Sequence, residues 1–247
     1  MMSENLPRAC PAVTARPLYQ QVHDYLLGRI VTGEWQPGDY LPSEQRLAAS
    51  LGVALGTVRR ALDELAEGGV VERRQGRGTA VLRHSSDRAR FRFFRLVGPD
   101  GARIVPTGRV LAARKRAARA GEARALGLSP SALVLGLTRE RRVGGRALVH
   151  ETIALPLPLF ARLDLPVGQD LAKELYVLYQ HDCGVTVARA EDRISPEAAP
   201  VAVARSLGIA PGTPILRIRR IAFGLDGVAV EHRISRSPRL DYAVAIE

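Results

Sequence analysis

Hydrogen-bonding side chains cluster at the start of a helical segment near residue 55. Thr57, Arg59 and Arg60 occupy this start, and none of them belongs to the apolar stripe of the segment. Arginine can donate two hydrogen bonds to guanine or to a phosphate, and threonine can bond phosphate or contact a thymine methyl group. A solvated helix face is the alternative interpretation of the arginines. Further along, Gly76 and Arg77 lie in a basic, glycine-rich turn that could approach a sugar-phosphate backbone.

The elements around these residues predict a winged helix-turn-helix over residues 15–82. One helix with an apolar face follows Pro17, and another begins after Ser43, whose hydroxyl suits an N-cap. Gly52 suits the left-handed end of that second helix. A third helix is predicted over 55–67, and the sequence VVERRQGRGTAVL then alternates around QGRG as a hairpin does. In such a fold the second helix of the helix-turn-helix pair enters the DNA major groove.

A second group of charged residues lies in the C-terminal half. Arg139 and Arg141 are two residues apart in a predicted strand, so they share one face of a sheet. Paired guanidinium groups that face a cleft could bind a carboxylate or a phosphate. Glu151 follows across a Gly-Gly turn, where it could bond a ligand or one of these arginines. A structural salt bridge among the three is the alternative, and the residue types leave both open.

The C-terminal half predicts an α+β domain with an antiparallel sheet. Turns of hairpin type fall at Gly144-Gly145 and Asp226-Gly227, and predicted strands outnumber predicted helices. The apolar patterns predict strands over 104–112, 133–143, 147–155, 185–194, 215–223 and 228–236. They predict helices over 122–126, 170–182 and 196–207.

The excess positive charge of the chain lies in the predicted linker and the first part of the second domain, outside the predicted DNA-contacting helices. The formal net charge is +11, and residues 83–142 contain 15 Lys or Arg against 4 Asp or Glu, a difference that equals the whole excess. A basic balance favours a polyanionic partner, usually nucleic acid, although an arginine-rich composition without such a partner is the alternative. We interpret residues 83–94 as a basic linker that becomes a strand near Phe91, and residues 95–247 as a second domain. We predict that residues 1–14 form a disordered N-terminal segment.

Several kinds of site have no support in the sequence. Cys10 and Cys183 cannot form a cysteine zinc site, and His181-Asp182-Cys183 is too compact for a metal site. Nucleotide-binding and serine-hydrolase motifs are absent, so we expect no catalytic residue, cofactor or metal. Neither a signal peptide nor an apolar run of about 18 residues is present. We therefore expect a soluble, cytoplasmic protein without a membrane partner.

The N-terminal segment is similar to the GntR-type winged helix-turn-helix of bacterial transcription regulators. The resemblance covers about residues 16–82 and rests on five blocks in order: PLYQQV, PGDYLPSE, LAASLGV, TVRRAL and RRQGRGT. It implies DNA contacts from Ser43, Gln45, Thr57, Arg59, Gly76 and Arg77. The chain departs from the family at Ala54 and Leu55, where a polar cap and an arginine are usual, and Gln45 stands where some members have arginine.

Residues 95–242 resemble the UTRA domain that accompanies this DNA-binding domain in the HutC-like branch of the family. The resemblance rests on TRERRVGGRALVHETIALP, LYVLYQHDCGV and GTPILRIRRIAFGLDGVAVEHRIS. It implies a chorismate-lyase-like fold that binds small metabolites, often anionic sugars or carboxylates. It also implies that Tyr176 and Glu231 line the effector pocket, to which we assign Arg139, Arg141 and Glu151 from their residue types and spacing. Glu174 stands where a phosphosugar-sensing relative has serine.

These features predict a ligand-responsive transcription regulator that binds double-stranded DNA, and we expect repression rather than activation. Two DNA-binding domains must meet two half-sites, so we expect a homodimer on a palindromic operator, held mostly by the C-terminal domain. An enzyme with a lyase-like domain and a DNA-packaging protein without sequence preference are the alternatives. No set of acid, base and nucleophile supports the enzyme, and the packaging protein gives the large second domain no purpose.

Overall fold

A computed structural model describes residues 16–85, 94–98, 100–102 and 104–243 of the chain. The predicted disordered N-terminal segment lies outside these residues, as do the strand expected near Phe91 and most of the predicted linker. None of the helices in the described ranges is long and apolar enough to cross a membrane.

The N-terminal domain packs three helices against a two-stranded hairpin. Helices α1 (Leu18–Val31), α2 (Glu44–Leu51) and α3 (Leu55–Glu67) are followed by the antiparallel strands β1 (Val71–Arg74) and β2 (Gly78–Val81). The Ser43 hydroxyl accepts a hydrogen bond from the Arg46 N–H at 3.3 Å, and Gly52 ends α2 with φ of +64°, as expected. The apolar core of this domain contains Val22, Leu26, Leu47, Val58, Leu62, Leu65 and Val81.

The C-terminal domain is built on one antiparallel sheet. Its strands are β4 (Thr107–Ala117), β5 (Leu133–Val143), β6 (Arg146–Pro156), β7 (Arg189–Ala198), β8 (Pro214–Phe223) and β9 (Ala229–Ser237). They lie in the order β4-β5-β6-β9-β8-β7. Four helices accompany the sheet in the described residues: α4 (Ala120–Leu126), α5 (Leu157–Phe160), α6 (Leu175–Cys183) and α7 (Val201–Leu207). A separate antiparallel pair joins β3 (Leu96–Val97) to β10 (Asp241–Tyr242).

Four predicted elements have wrong boundaries. The strands predicted over 104–112 and 185–194 run instead over Thr107–Ala117 and Arg189–Ala198, and the helices predicted from 170 and 196 begin at Leu175 and Val201. Asp170 forms an isolated β-bridge with Arg109 and accepts a hydrogen bond from its Nε at 2.9 Å. Partners that are distant in sequence therefore override the local apolar spacing at these ends.

The two domains contact each other where the chain leaves β2. Gln180 of α6 donates a hydrogen bond from Nε2 to the carbonyl oxygen of Leu82 at 3.1 Å. Its Oε1 accepts one from the N–H of His84 at 2.9 Å, and His84 Nε2 lies 3.0 Å from the carbonyl oxygen of Val187. Leu225, in the turn between β8 and β9, packs against the core of the N-terminal domain.

Candidate nucleic-acid interface and candidate ligand cavity

The start of α3 is exposed, and its first residues carry no hydrogen-bonding side chain. Ala54 provides no side-chain cap, so the first turn is closed by a backbone bond from the Thr57 N–H to the Ala54 carbonyl at 3.0 Å. Leu55, the first helical residue, is 38% exposed. Thr57 is half-buried, whereas Arg59 is exposed. A polyanion can therefore reach the first turn of α3.

Arg59 belongs to a network of ion pairs that joins α2, α3 and β1. Its Nε donates to Oε2 of Glu44 at 3.2 Å. The other oxygen of Glu44 accepts a hydrogen bond from Arg73 at 2.7 Å, and Arg73 also donates to Asp63 at 2.7 Å. The hydrogen bond from Arg73, with a smaller contribution from Arg59, lowers the pKa of Glu44 below its ordinary value. This network holds the Arg59 guanidinium along an exposed side of α3.

Arg60 points elsewhere. Its guanidinium carbon lies 3.8 Å from the centre of the Tyr19 ring of α1, a cation–π arrangement. Its Nε is 3.9 Å from the Glu64 carboxylate, one turn along the same helix. The structure therefore separates Arg60 from the network around Arg59.

Ser43 and Gln45 lie at the start of α2. The Ser43 oxygen accepts the Arg46 N–H, and its hydroxyl proton can be donated to a phosphate oxygen. Gln45 is exposed on the first turn of α2. Both side chains stand next to Glu44, so they border the network that holds Arg59.

The turn between β1 and β2 has the glycine geometry that the sequence suggests. Gly76 and Gly78 have φ of +71° and +101°, values that residues with a side chain rarely adopt. Arg77 lies between them and is exposed. Arg74 donates to the Tyr40 hydroxyl at 3.3 Å; this bond, with a smaller effect of Arg77, lowers the Tyr40 pKa. Sequence reasoning missed Tyr40, although it directly precedes the LPSE block.

In the C-terminal domain, Glu151 lies at the centre of a buried group of arginines. It stands directly opposite Arg139 in the pairing of β5 with β6 and accepts a hydrogen bond from its Nε at 2.7 Å. Arg141 and Arg233 each have a nitrogen 3.6 Å from the other Glu151 oxygen, which also accepts the Ser235 hydroxyl at 3.0 Å. Burial alone would raise the pKa of Glu151, but the three arginines lower it far below its ordinary value. The carboxylate is therefore their common counterion.

Tyr176 and Glu231 form a second buried group. The hydroxyls of Tyr176 and Tyr179 donate to the two oxygens of Glu231 at 3.0 and 2.8 Å, and Arg233 donates to the same carboxylate at 2.6 Å. Burial, followed by the negative charge of Glu231, raises the pKa of Tyr176 to about 12. Glu231 is fully buried, and these three donors surround it.

A small cavity of about 40 Å³ opens between α6, the sheet and the β3–β10 pair. Of the predicted effector residues, Arg141, Glu151 and Tyr176 line it. Arg139 lies in a separate cavity of about 130 Å³. Glu231 borders neither of these two cavities, but it accepts the hydrogen bond from the Tyr176 hydroxyl.

Sequence reasoning missed several residues that line the smaller cavity, including Arg220, Arg233 and Tyr242. Arg233 follows Glu231 by two residues in one strand, so the spacing alone could have placed both on one face. Arg220 pairs with Arg233 across β8 and β9, and both Asp192 oxygens accept from its guanidinium at 2.7 and 2.6 Å. No group of three potential metal ligands occurs within the described part of the chain.

Comparison with known proteins assigns both domains. Residues 18–81 match the gntR family of bacterial regulatory proteins, and residues 101–242 match the UTRA domain. The chain is 30% identical to the HTH-type transcriptional regulator SmoD of Agrobacterium fabrum, over 87% of this chain and 89% of SmoD. It is 28% identical to the HTH-type transcriptional repressor NagR of Bacillus subtilis, over 87% and 88% of the two chains. The solved ligand-binding domain of a GntR-family regulator from Bordetella bronchiseptica matches with a TM-score of 0.59 at 26% identity, covering 67% of this chain and all of that domain. The chain therefore belongs to the GntR family, in the group with a UTRA domain, and is a transcription regulator rather than an enzyme.

Proposed function

We propose that the protein is a repressor whose affinity for its operator depends on a small anionic metabolite bound in the C-terminal cavity. The observation that carries this proposal is that one helix, α6, contacts both the cavity and the DNA-binding domain. A repressor of this kind acts on chromosomal DNA, and therefore in the cytoplasm. The name of the related NagR, a transcriptional repressor, supports repression as the direction of control.

Helix α6 provides a physical connection between the two sites. Its first residues, Leu175 and Tyr176, line the cavity, whereas Gln180 on the following turn holds Leu82 and His84 by hydrogen bonds. Leu82 directly follows β2, the second strand of the β1–β2 hairpin, which forms the wing of the winged helix-turn-helix. A ligand that displaces Tyr176 would therefore move the end of the wing through a single rigid element. Such coupling requires that the ligand bind the two arrangements with different affinity.

The spare donors in the cavity favour an anionic effector. Arg141 is buried, and its Nε and NH1 donate no hydrogen bond to any described residue. Arg220 and Arg233 already donate to Asp192 and Glu231. A buried guanidinium with unused donors lacks the hydrogen bonds that water would give it, and a carboxylate or phosphate oxygen can supply them.

The cavity must open to admit such a ligand. Its volume of about 40 Å³ holds only roughly three water molecules. Phe94, Leu96 and Tyr242 form one wall, and the Phe94 ring lies 4.6 Å from the guanidinium carbon of Arg141. We infer that the effector takes the place of this ring beside Arg141 and separates the wall from α6.

A homodimer on a palindromic operator fits the DNA-binding domain. A single α3 reaches only one half-site, and two domains related by a two-fold axis would contact two half-sites one turn of DNA apart. Light scattering of the full chain should give the mass of two chains, about 54 kDa from the 26.8 kDa of one. The mass of one chain at operator-binding concentrations would contradict this part of the proposal.

Gel-shift titration of the full chain with DNA from upstream of its own gene tests operator binding. We expect binding that weakens steeply as salt increases and that exceeds binding to random DNA at every salt concentration. Equal affinity for both kinds of DNA would overturn the proposal.

Effector binding is tested by thermal unfolding in the presence of small carboxylates and sugar phosphates. A compound that binds the folded state raises the melting temperature. Arg141→Ala should abolish this increase, whereas Arg114→Ala, at an exposed position of β4, should keep it. Gln180→Ala should still show the increase but lose the effect of the compound on DNA affinity, because its bonds to Leu82 and His84 are gone. An effect on DNA that survives in Gln180→Ala would refute coupling through α6.

A further inference from the structure

We propose that Leu55 contacts the methyl group of a thymine in the major groove and thereby sets part of the operator sequence. The inference rests on the proposed binding of α3 to DNA and adds the chemistry of one base position.

Leu55 lies on the same side of α3 as the residues of the ion-pair network. Arg59 and Asp63 follow it at intervals of four residues, so the three form one stripe along the helix. Glu44 and Arg73 hold this stripe from α2 and from the wing strand. The stripe therefore runs along the surface between the start of α2 and the wing.

Leu55 does not belong to the hydrophobic core of the domain. The buried face of α3 consists of Val58, Ala61, Leu62 and Leu65, and Leu55 is 38% exposed. An exposed leucine is common on protein surfaces and by itself indicates nothing. Its position at the tip of the helix that faces the groove gives it a specific use.

The neighbours of Leu55 offer no hydrogen-bonding side chain at the start of α3. Ala54 has no polar side chain, and Gly56 has none at all, with open space where its Cβ would stand. The first side chains with hydrogen-bonding groups are Thr57, which is half-buried, and Arg59, which Glu44 holds. The apolar feature of base edges in the major groove is the C5 methyl group of thymine. An apolar tip on α3 therefore favours thymine, and it discriminates by contact with the methyl group instead of by hydrogen bonds.

The test uses duplexes in which thymine is replaced by uracil, which lacks only the methyl group. Selection from random duplexes with the full chain first identifies the preferred sequence. Each thymine of that sequence is then changed to uracil in turn, and affinity is measured by fluorescence anisotropy. We expect one position in each half-site where the change weakens binding about fourfold, the value of one buried methyl group.

Leu55→Ala should remove the difference in affinity between the thymine and the uracil duplex at that position. The variant should still bind the rest of the site. Leu133→Ala is the matched control, because Leu133 is also exposed, at 51%, but lies in β5 of the other domain. It should keep the fourfold difference. Leu55→Arg should shift the preferred base at that position to guanine, since arginine donates two hydrogen bonds to its edge.

The outcomes separate the two proposals. If sequence-specific binding is found but uracil is tolerated at every position, or if Leu55→Ala keeps the full difference, the role of Leu55 is wrong and operator binding stands. If selection enriches no sequence at all, the proposed function fails and the role of Leu55 fails with it.

Discussion

Replacing Glu151 with glutamine would show how much the buried arginines depend on one carboxylate. Glu151 is 2% exposed and has guanidinium nitrogens of Arg139, Arg141 and Arg233 at 2.5, 3.6 and 3.6 Å. Two unit charges 4 Å apart attract by about 4 kcal/mol at an effective dielectric constant of about 20, and each buried ion costs several kcal/mol to desolvate, so loss of the shared carboxylate leaves buried positive charge uncompensated. Glutamine keeps the size and can still accept from Ser235, but Arg139 then has no ion pair within the described ranges. We expect Glu151→Gln to lower the free energy of unfolding by about 3 to 5 kcal/mol.

Urea denaturation of the full chain, followed by circular dichroism, measures this loss. The control is Glu191→Gln in β7, where the side chain is 61% exposed and pairs with Arg189. That exposed pair should change the free energy of unfolding by less than about 1 kcal/mol. Equal losses in the two variants would refute the role of Glu151 as the counterion.

The pH dependence of the same loss gives a second test. The pKa of Glu151 is lowered in the folded state from its ordinary value of 4.5, so its contribution is complete above that value. The contribution decreases as the pH falls toward the folded-state pKa. The difference between the wild-type protein and Glu151→Gln should therefore narrow by about 1.4 kcal/mol for each pH unit below 4.5. A constant difference between about pH 7 and pH 3 would contradict the predicted shift.

Five further variants, at four positions, test individual residues in the same denaturation assay. Tyr179→Phe removes a buried donor to Glu231 and should lower the free energy of unfolding by about 1 to 3 kcal/mol; no loss would mean that the bond is replaced by another donor. Ser43→Ala should lower it by about 1 kcal/mol and Ser43→Gly by a few tenths, because Ser43 caps α2, and equal effects would exclude capping. Gly52→Ala should destabilise by about 1 kcal/mol, since φ is +64° there, whereas Gly56→Ala, in open helical space, should stabilise by about 0.5 to 1 kcal/mol; the opposite order would refute this explanation.

The N-terminal domain was predictable because its signals are local. The cap at Ser43, the left-handed end at Gly52 and the apolar stripe of α3 each depend on a few adjacent residues, and the structure shows these three features where the sequence predicts them. The partners of the surface arginines were not predictable. Arg59 and Arg60 are adjacent in the chain, yet one pairs with Glu44 of α2 and the other stacks on Tyr19 of α1. These partners depend on how the helices pack against each other, and the apolar pattern of a single helix does not determine that packing.

The sequence by itself determined that two hairpins carry the charged residues of the C-terminal domain, because Gly144-Gly145 and Asp226-Gly227 are strong turn signals. Only the tertiary structure decided which residues face each other. If the pairing register next to the first turn continued unchanged along the strands, His150 would lie opposite Arg139. If the register next to the second turn continued unchanged, His232 would lie opposite Arg220.

In each hairpin, a register shift of one residue changes the partner. Arg139 then faces Glu151, and Arg220 faces Arg233. Because alternate residues point to opposite faces of a sheet, these two shifts bring a carboxylate and a guanidinium to the buried site in place of two imidazoles. A turn sequence selects the hairpin, but the packing of the whole sheet selects the bulge, and so the composition of the candidate effector site depends on the fold.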